Sequence, residues 1–97
     1  MTSRLHPAAR REIGDAAIYY AQRNQAIADR FLDAVELAIR KIRETPTRFR
    51  QLENELYRCR VAGFPYAIIY KPTKAELIIL AVKHDRRRPD YWRTRLQ

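Results

Sequence analysis

The spacing of apolar residues along the chain changes once, between Pro46 and Leu56. Before it, apolar side chains recur every three or four positions: Ala9, Ile13, Ala16, Ala17 and Tyr20, then Ile27, Phe31, Ala34, Val35, Ala38 and Ile42. This is the period of a helix with one buried stripe. Pro7 suits a first helical turn, where its missing N–H is not needed, so a first helix is predicted from Ala8 to about Arg23. Asn24-Gln25 breaks it, and a second helix runs from about Ala26 to Glu44. Thr45-Pro46 ends that helix, because a residue before proline disfavours helical geometry. So short a link makes the pair an antiparallel αα-hairpin.

After Pro46 the residues Thr47 to Glu55 are polar and read as a loop. Leu56 to Val61 then alternates, with Tyr57, Cys59 and Val61 on one face and Arg58 and Arg60 on the other. Tyr66 to Tyr70 follows Gly63-Phe64-Pro65, and Leu77 to Val82 follows the turn Pro72 to Ala75. Three strands with short links predict an antiparallel meander, and Thr2 to His6 is a candidate short strand. The expected fold is α+β: an N-terminal strand and a helical hairpin packed on one face of an antiparallel sheet, because neither layer can hide its apolar face alone. Ile13, Phe31, Val35, Ile68 and Leu80 are the expected shared core. The tail, Lys83 to Gln97, is charged, with one helical turn expected at Pro89 to Arg93.

Composition narrows the picture. At 97 residues the chain is expected to be one domain, 1–97. An apolar content of 46% with only two glycines predicts folding rather than disorder. The net charge of +9 draws in anions, whether nucleic acid, acidic lipid or an acidic protein. No apolar leader follows Met1, and the longest apolar run, Leu77 to Val82, is too short to span a bilayer. A lone cysteine, Cys59, forms no internal disulfide, and with His6 and His84 it matches no zinc spacing. A cytoplasmic protein with no metal and no cofactor is expected.

Several strings resemble the plasmid-stabilisation branch of the RelE/ParE toxin family: His6-Pro7-Ala8-Ala9, Arg30 to Val35, Phe64 to Tyr70, and Ala81-Val82-Lys83-His84 followed by Arg86-Arg87 and Pro89-Asp90-Tyr91-Trp92. They cover nearly the whole chain in order. The resemblance implies the toxin of a type II toxin–antitoxin pair, held inactive by a cognate, ParD-like antitoxin in a hetero-oligomer. RelE-like members cleave messenger RNA on the ribosome; ParE-like members poison DNA gyrase.

Metal-independent RNA cleavage needs a base for the 2′-OH, a cation for the phosphate and an acid for the leaving oxygen. The resemblance places Arg58 and Arg60 at the basic positions of the first meander strand, Tyr91 at a catalytic tyrosine, and Arg86 or Arg87 at a catalytic arginine. His84 is the one plausible general base among them, although beside Asp85 a hydrogen-bonded structural role suits it better. Arginine stays protonated and is a poor base. The arginine that RelE-like enzymes carry after the strand tyrosine is replaced here by Ala67, following Tyr66.

Two functions therefore remain open. One is a non-enzymatic gyrase inhibitor, with Arg86, Arg87, Arg88, Tyr91 and Trp92 as the target-binding surface and Arg58 and Arg60 contacting the antitoxin. The other is a ribosome-dependent endoribonuclease using Arg58, Arg60, His84, Arg87 and Tyr91. Ala67 favours the first. Direct nucleic-acid binding is permitted by the charge, but Arg40, Lys41 and Arg43 also complement the dipole at a helix C-terminus.

Overall fold

Pro7 opens a helix, α1, spanning Pro7–Ala21. The imidazole Nδ1 of His6 caps it, accepting a hydrogen bond from the Ala8 amide at 3.0 Å. The break read at Asn24-Gln25 is itself a helix start: α2 spans Gln25–Glu44, and the side chain of Asn24 accepts from the Ala26 amide at 2.8 Å. An asparagine at this position satisfies one of the four amides that a helix leaves unpaired. Lys41 and Arg43 occupy the last turn before Thr45, where cations meet the negative end of the dipole. The computed structural model describes residues 2–96, so the final residue of the expected tail, Gln97, lies outside it.

The strands are β1 (Thr2–Leu5), β2 (Arg50–Glu53), β3 (Leu56–Arg60), β4 (Tyr66–Pro72) and β5 (Glu76–His84), side by side in the order β1-β5-β4-β3-β2. The meander β3-β4-β5 is antiparallel as expected. Three features differ from the sequence reading. Strand β1 lies parallel to β5, with Thr2 opposite Glu76 and Leu5 opposite Ile79, so the sheet is mixed rather than purely antiparallel. The stretch read as a loop contains β2, which pairs antiparallel with β3. All four β2 residues are exposed, so no alternation of polarity marks the strand. The helical turn also falls later than expected, as a 3-10 turn over Arg93–Leu96.

Both helices cover one face of the sheet. Phe31, Val35, Ala38 and Ile42 of α2 and Ala9 and Ala16 of α1 pack with Cys59, Ile68, Tyr70, Leu77, Ile79 and Val82. Phe31 is the aromatic centre, with Tyr20, Phe64 and Tyr66 rings at 5.2–5.4 Å. Leu80 does not join this core. The register of β4 against β5 shifts between Ile69 and Tyr70, whose partners are Ala81 and Ile79, leaving Leu80 as an extra residue. A bulge of this kind puts neighbouring residues on the same side. Leu80 and Ala81 both face away from the helices, into a second cluster with Leu56, Ile69 and Trp92.

The Tyr70 ring is buried, and its hydroxyl donates to the Pro46 carbonyl at 2.6 Å. This bond fastens the chain leaving α2 to the middle of the sheet. Tyr70→Phe should cost about 1–2 kcal/mol in urea unfolding, since the hydrogen bond is lost and a carbonyl is left unpaired.

Candidate functional site

Strand β2 pairs with β3 only as far as Arg50 opposite Arg58. Beyond that pair, Cys59 and Arg60 have no strand neighbour on this side, and α2 runs alongside. Between them lies a groove of about 440 Å³, with Ala34, Leu37, Ala38 and Lys41 on the helix side and Phe49, Cys59 and Ala62 opposite. A second depression continues it past Ile27, Arg30 and Asp33, sharing Ala34, Leu37 and Ala62. The floor is apolar. The rim carries Arg30, Lys41, Arg50, Arg58 and Arg60 against one acid, Asp33. Leu37 is 40% exposed at its centre. Such a trough accepts an apolar face flanked by acids, and the open β3 edge can pair with an added strand.

Arg58 and Arg60 project from the sheet face opposite the helices, into a depression of about 360 Å³ with Ala67, Ile69, Lys83, Asp85 and Pro89. Arg60 is engaged there: its guanidinium holds the Asp85 carboxylate through two bonds of 2.5 and 3.0 Å and also donates to the Phe64 carbonyl. This fork, reinforced by Arg58 and His84 nearby, keeps the Asp85 carboxyl below its ordinary value.

Glu12 is the functional-looking residue that sequence reasoning missed. It projects from α1 towards β5 and the C-terminal segment, with its side chain 12% exposed. Its carboxylate accepts from both terminal nitrogens of Arg95 (2.9 and 3.0 Å), from Arg87 (3.0 Å), from the Tyr91 hydroxyl (2.6 Å) and from the Val82 amide (3.0 Å). Arg95 also donates to the Leu80 carbonyl at 3.0 Å. Strand β1 ends at Leu5, opposite Ile79, so Glu12 and Arg95 pair backbone groups of β5 beyond its end. Burial alone would raise the Glu12 pKa, but Arg95, Tyr91 and the Val82 amide outweigh it and hold the carboxyl below its ordinary value. Tyr91 is pushed strongly upward by burial and by its bond to that carboxylate, so its phenol stays protonated.

The C-terminal residues are thus partly structural. Trp92, expected in the target-binding surface, is only 2% exposed; it is the plug of the second apolar cluster, and its indole N–H donates to the Pro89 carbonyl at 2.8 Å. Arg87 stacks on the Tyr91 ring at 3.6 Å while bonding Glu12. Arg86 and Arg88 stay exposed, Arg88 lying 3.8 Å from Asp90. His84 is opposite Tyr66 in the sheet, and their rings meet edge to face at 5.0 Å. Its Nδ1 accepts from the Arg86 amide at 3.0 Å.

The five residues weighed for RNA cleavage do not converge. Arg58 and Arg60 occupy the helix-free face, whereas His84 and Arg87 border a different hollow with Glu12, Tyr19 and Tyr66. No cluster of three or more potential metal ligands occurs among the described residues. Burial raises the pKa of the Cys59 thiol, which is a core residue. No helix among the described residues is long and apolar enough to cross a membrane.

The chain is thus a small basic α+β domain with an apolar, cation-rimmed trough beside an open strand edge. The model of the ParE toxin family, from type II toxin–antitoxin (parDE) systems, matches residues 4–89. The chain belongs to that family and is a ParE-type toxin. Among solved structures, a chain described as the chromosomal ParDE toxin–antitoxin system from P. aeruginosa superposes with a TM-score of 0.74 at 9% sequence identity, over 87% of this chain and 95% of that one. At that identity the likeness is one of fold. No curated protein matches the sequence.

Proposed function

We propose that this toxin arrests growth by inhibiting DNA gyrase in the cytoplasm and is neutralised by a ParD-like antitoxin bound along α2. The groove between α2 and the open β3 edge carries the proposal, because its apolar floor and basic rim suit an acidic amphipathic segment. Arg58 and Arg60, which border both that groove and the helix-free face, would donate charge-assisted bonds to antitoxin carboxylates. Target binding is assigned to Arg86, Arg87, Arg88 and Tyr91, with Trp92 supporting them from beneath. The gyrase reading is favoured over RNA cleavage by Ala67, which leaves no cation at that position, and by His84 lining a different hollow from Arg58 and Arg60.

Two assays on the purified toxin test this reading. It should block gyrase supercoiling and leave messenger RNA intact on programmed ribosomes. Cleavage in the ribosomal A site that is lost in His84→Ala would reverse the assignment. The antitoxin half is tested with the protein encoded beside the toxin. Binding should weaken with salt yet persist at high salt, because apolar burial is not screened. Leu37→Glu should weaken it at least tenfold, since a carboxylate at the centre of the groove opposes both burial and charge pairing.

A further inference from the structure

Arg50 and Arg58 face each other directly across β2 and β3. Residues so paired share a face with Cβ atoms about 5 Å apart, and like charges there are destabilising. Neither guanidinium has a carboxylate within ion-pair distance among the described residues, although Glu53 and Glu55 are close in sequence and are paired with Arg93 and Lys71. On the same face, Arg60, Ala67 and Lys83 form one row across β3, β4 and β5. Lys83 reaches only a backbone oxygen, the His84 carbonyl at 3.1 Å. Two strand spacings separate Arg60 from Lys83, roughly 10 Å, and the small Ala67 leaves the middle of the row open.

From this geometry we infer that the helix-free face of the sheet binds the sugar–phosphate backbone of single-stranded nucleic acid, with phosphates held by the Arg50–Arg58 pair and by Lys83. Leu52 and Pro89 wall the depression and offer apolar contact to a sugar or base. Arginine forks match phosphate oxygens bidentately, and a bound phosphate would relieve the repulsion between the two arginines. An acidic peptide fits this face less well. The open strand edge that would supply its backbone hydrogen bonds borders the α2 groove instead, and only side chains line this depression. Asp85, the acid at the rim, is already engaged by Arg60. The inference stands apart from the gyrase reading, since it concerns the toxin alone.

Fluorescence anisotropy with labelled twelve-nucleotide oligo-dT and oligo-U tests it at low and moderate salt. Both should bind, with affinity falling as salt rises. Arg58→Ala, Arg50→Ala and Lys83→Ala should each weaken binding by about tenfold and flatten the salt dependence. Thermal melts should show Arg50→Ala at least as stable as the parent, so lost binding is not lost folding. The double variant Arg10→Ala/Arg11→Ala removes two exposed cations of α1, on the opposite side of the sheet, and should bind like the parent. No binding at low salt would overturn the inference. So would equal losses in the α1 variant, which would mean diffuse charge attraction, or equally effective competition by oligo-glutamate of matched charge.

Discussion

Glu12→Ala should cost about 3–5 kcal/mol in urea unfolding monitored by far-ultraviolet circular dichroism. The carboxylate and the Arg95 guanidinium are both largely buried, with side chains 12% exposed. Removing the acid strands Arg95 among apolar neighbours and leaves the Val82 amide without its acceptor. The deletion thus exposes a desolvation cost that the intact pair conceals. Glu12→Gln should cost less, because its one amide oxygen can still accept from the Val82 amide, although the bond from Tyr91 and the charge are lost. Acid should act in the same direction. The folded pKa of Glu12 lies below its ordinary value near 4.5, so its stabilisation is fully present above that value and is lost as pH falls through the lower, folded one. Glu12→Ala should therefore show a flatter stability profile than the parent across that acid range. Parallel profiles would mean that the carboxylate contributes no net charge stabilisation.

Trp92→Ala should be comparably damaging, at about 3–5 kcal/mol. Its indole packs with Leu56, Ile69, Leu80 and Ala81 and is the largest side chain of that cluster. Truncation opens a cavity and frees the segment that presents Arg86, Arg87, Arg88 and Tyr91. Toxicity should fall together with stability, and Trp92→Phe should restore most of both. Full stability with abolished toxicity in Trp92→Ala would mean that the indole touches the target directly, as an exposed anchor would.

The two layers of the fold were legible because helices and buried strands imprint different periods on the sequence. The Pro46 boundary, the helix-facing residues Phe31, Val35 and Ile68, and the meander all follow from that contrast. Strand β2 left no imprint, since an edge strand exposed on every residue has no polarity to alternate. Leu80 was assigned to the wrong face because one bulge residue inverts the parity of a strand, and parity is all that alternation can count. Arg58 and Arg60 were correctly placed together on the face away from Cys59, but their neighbours across the sheet depend on register. Trp92 in a charged tail looked like a surface anchor, yet the face it covers becomes apolar only once Leu80 and Ala81 turn outward together. Glu12 did leave a signal. It lies three residues after Ala9 and four before Ala16, the two buried positions of α1, so a carboxylate stands on the apolar stripe. Such a residue needs a buried cation or amide partner, and the arginine-rich tail was the available source.

The parallel pairing of β1 with β5 also bears on how the toxin emerges from the ribosome. Thr2 meets Glu76 in the finished sheet, so the first strand made must wait for the last. During synthesis the helical hairpin, rich in local contacts, can form early, whereas β1 has no docking site until β5 is released. Glu12 meets Arg95 still later. A nascent chain stalled before β5 would carry the groove-forming helix α2 without a closed sheet behind it. Full toxicity would then arise only after β5 and the segment through Arg95 have left the ribosome. A substitution that weakens β1 docking should slow the final folding phase in stopped-flow refolding while leaving the early helical signal unchanged.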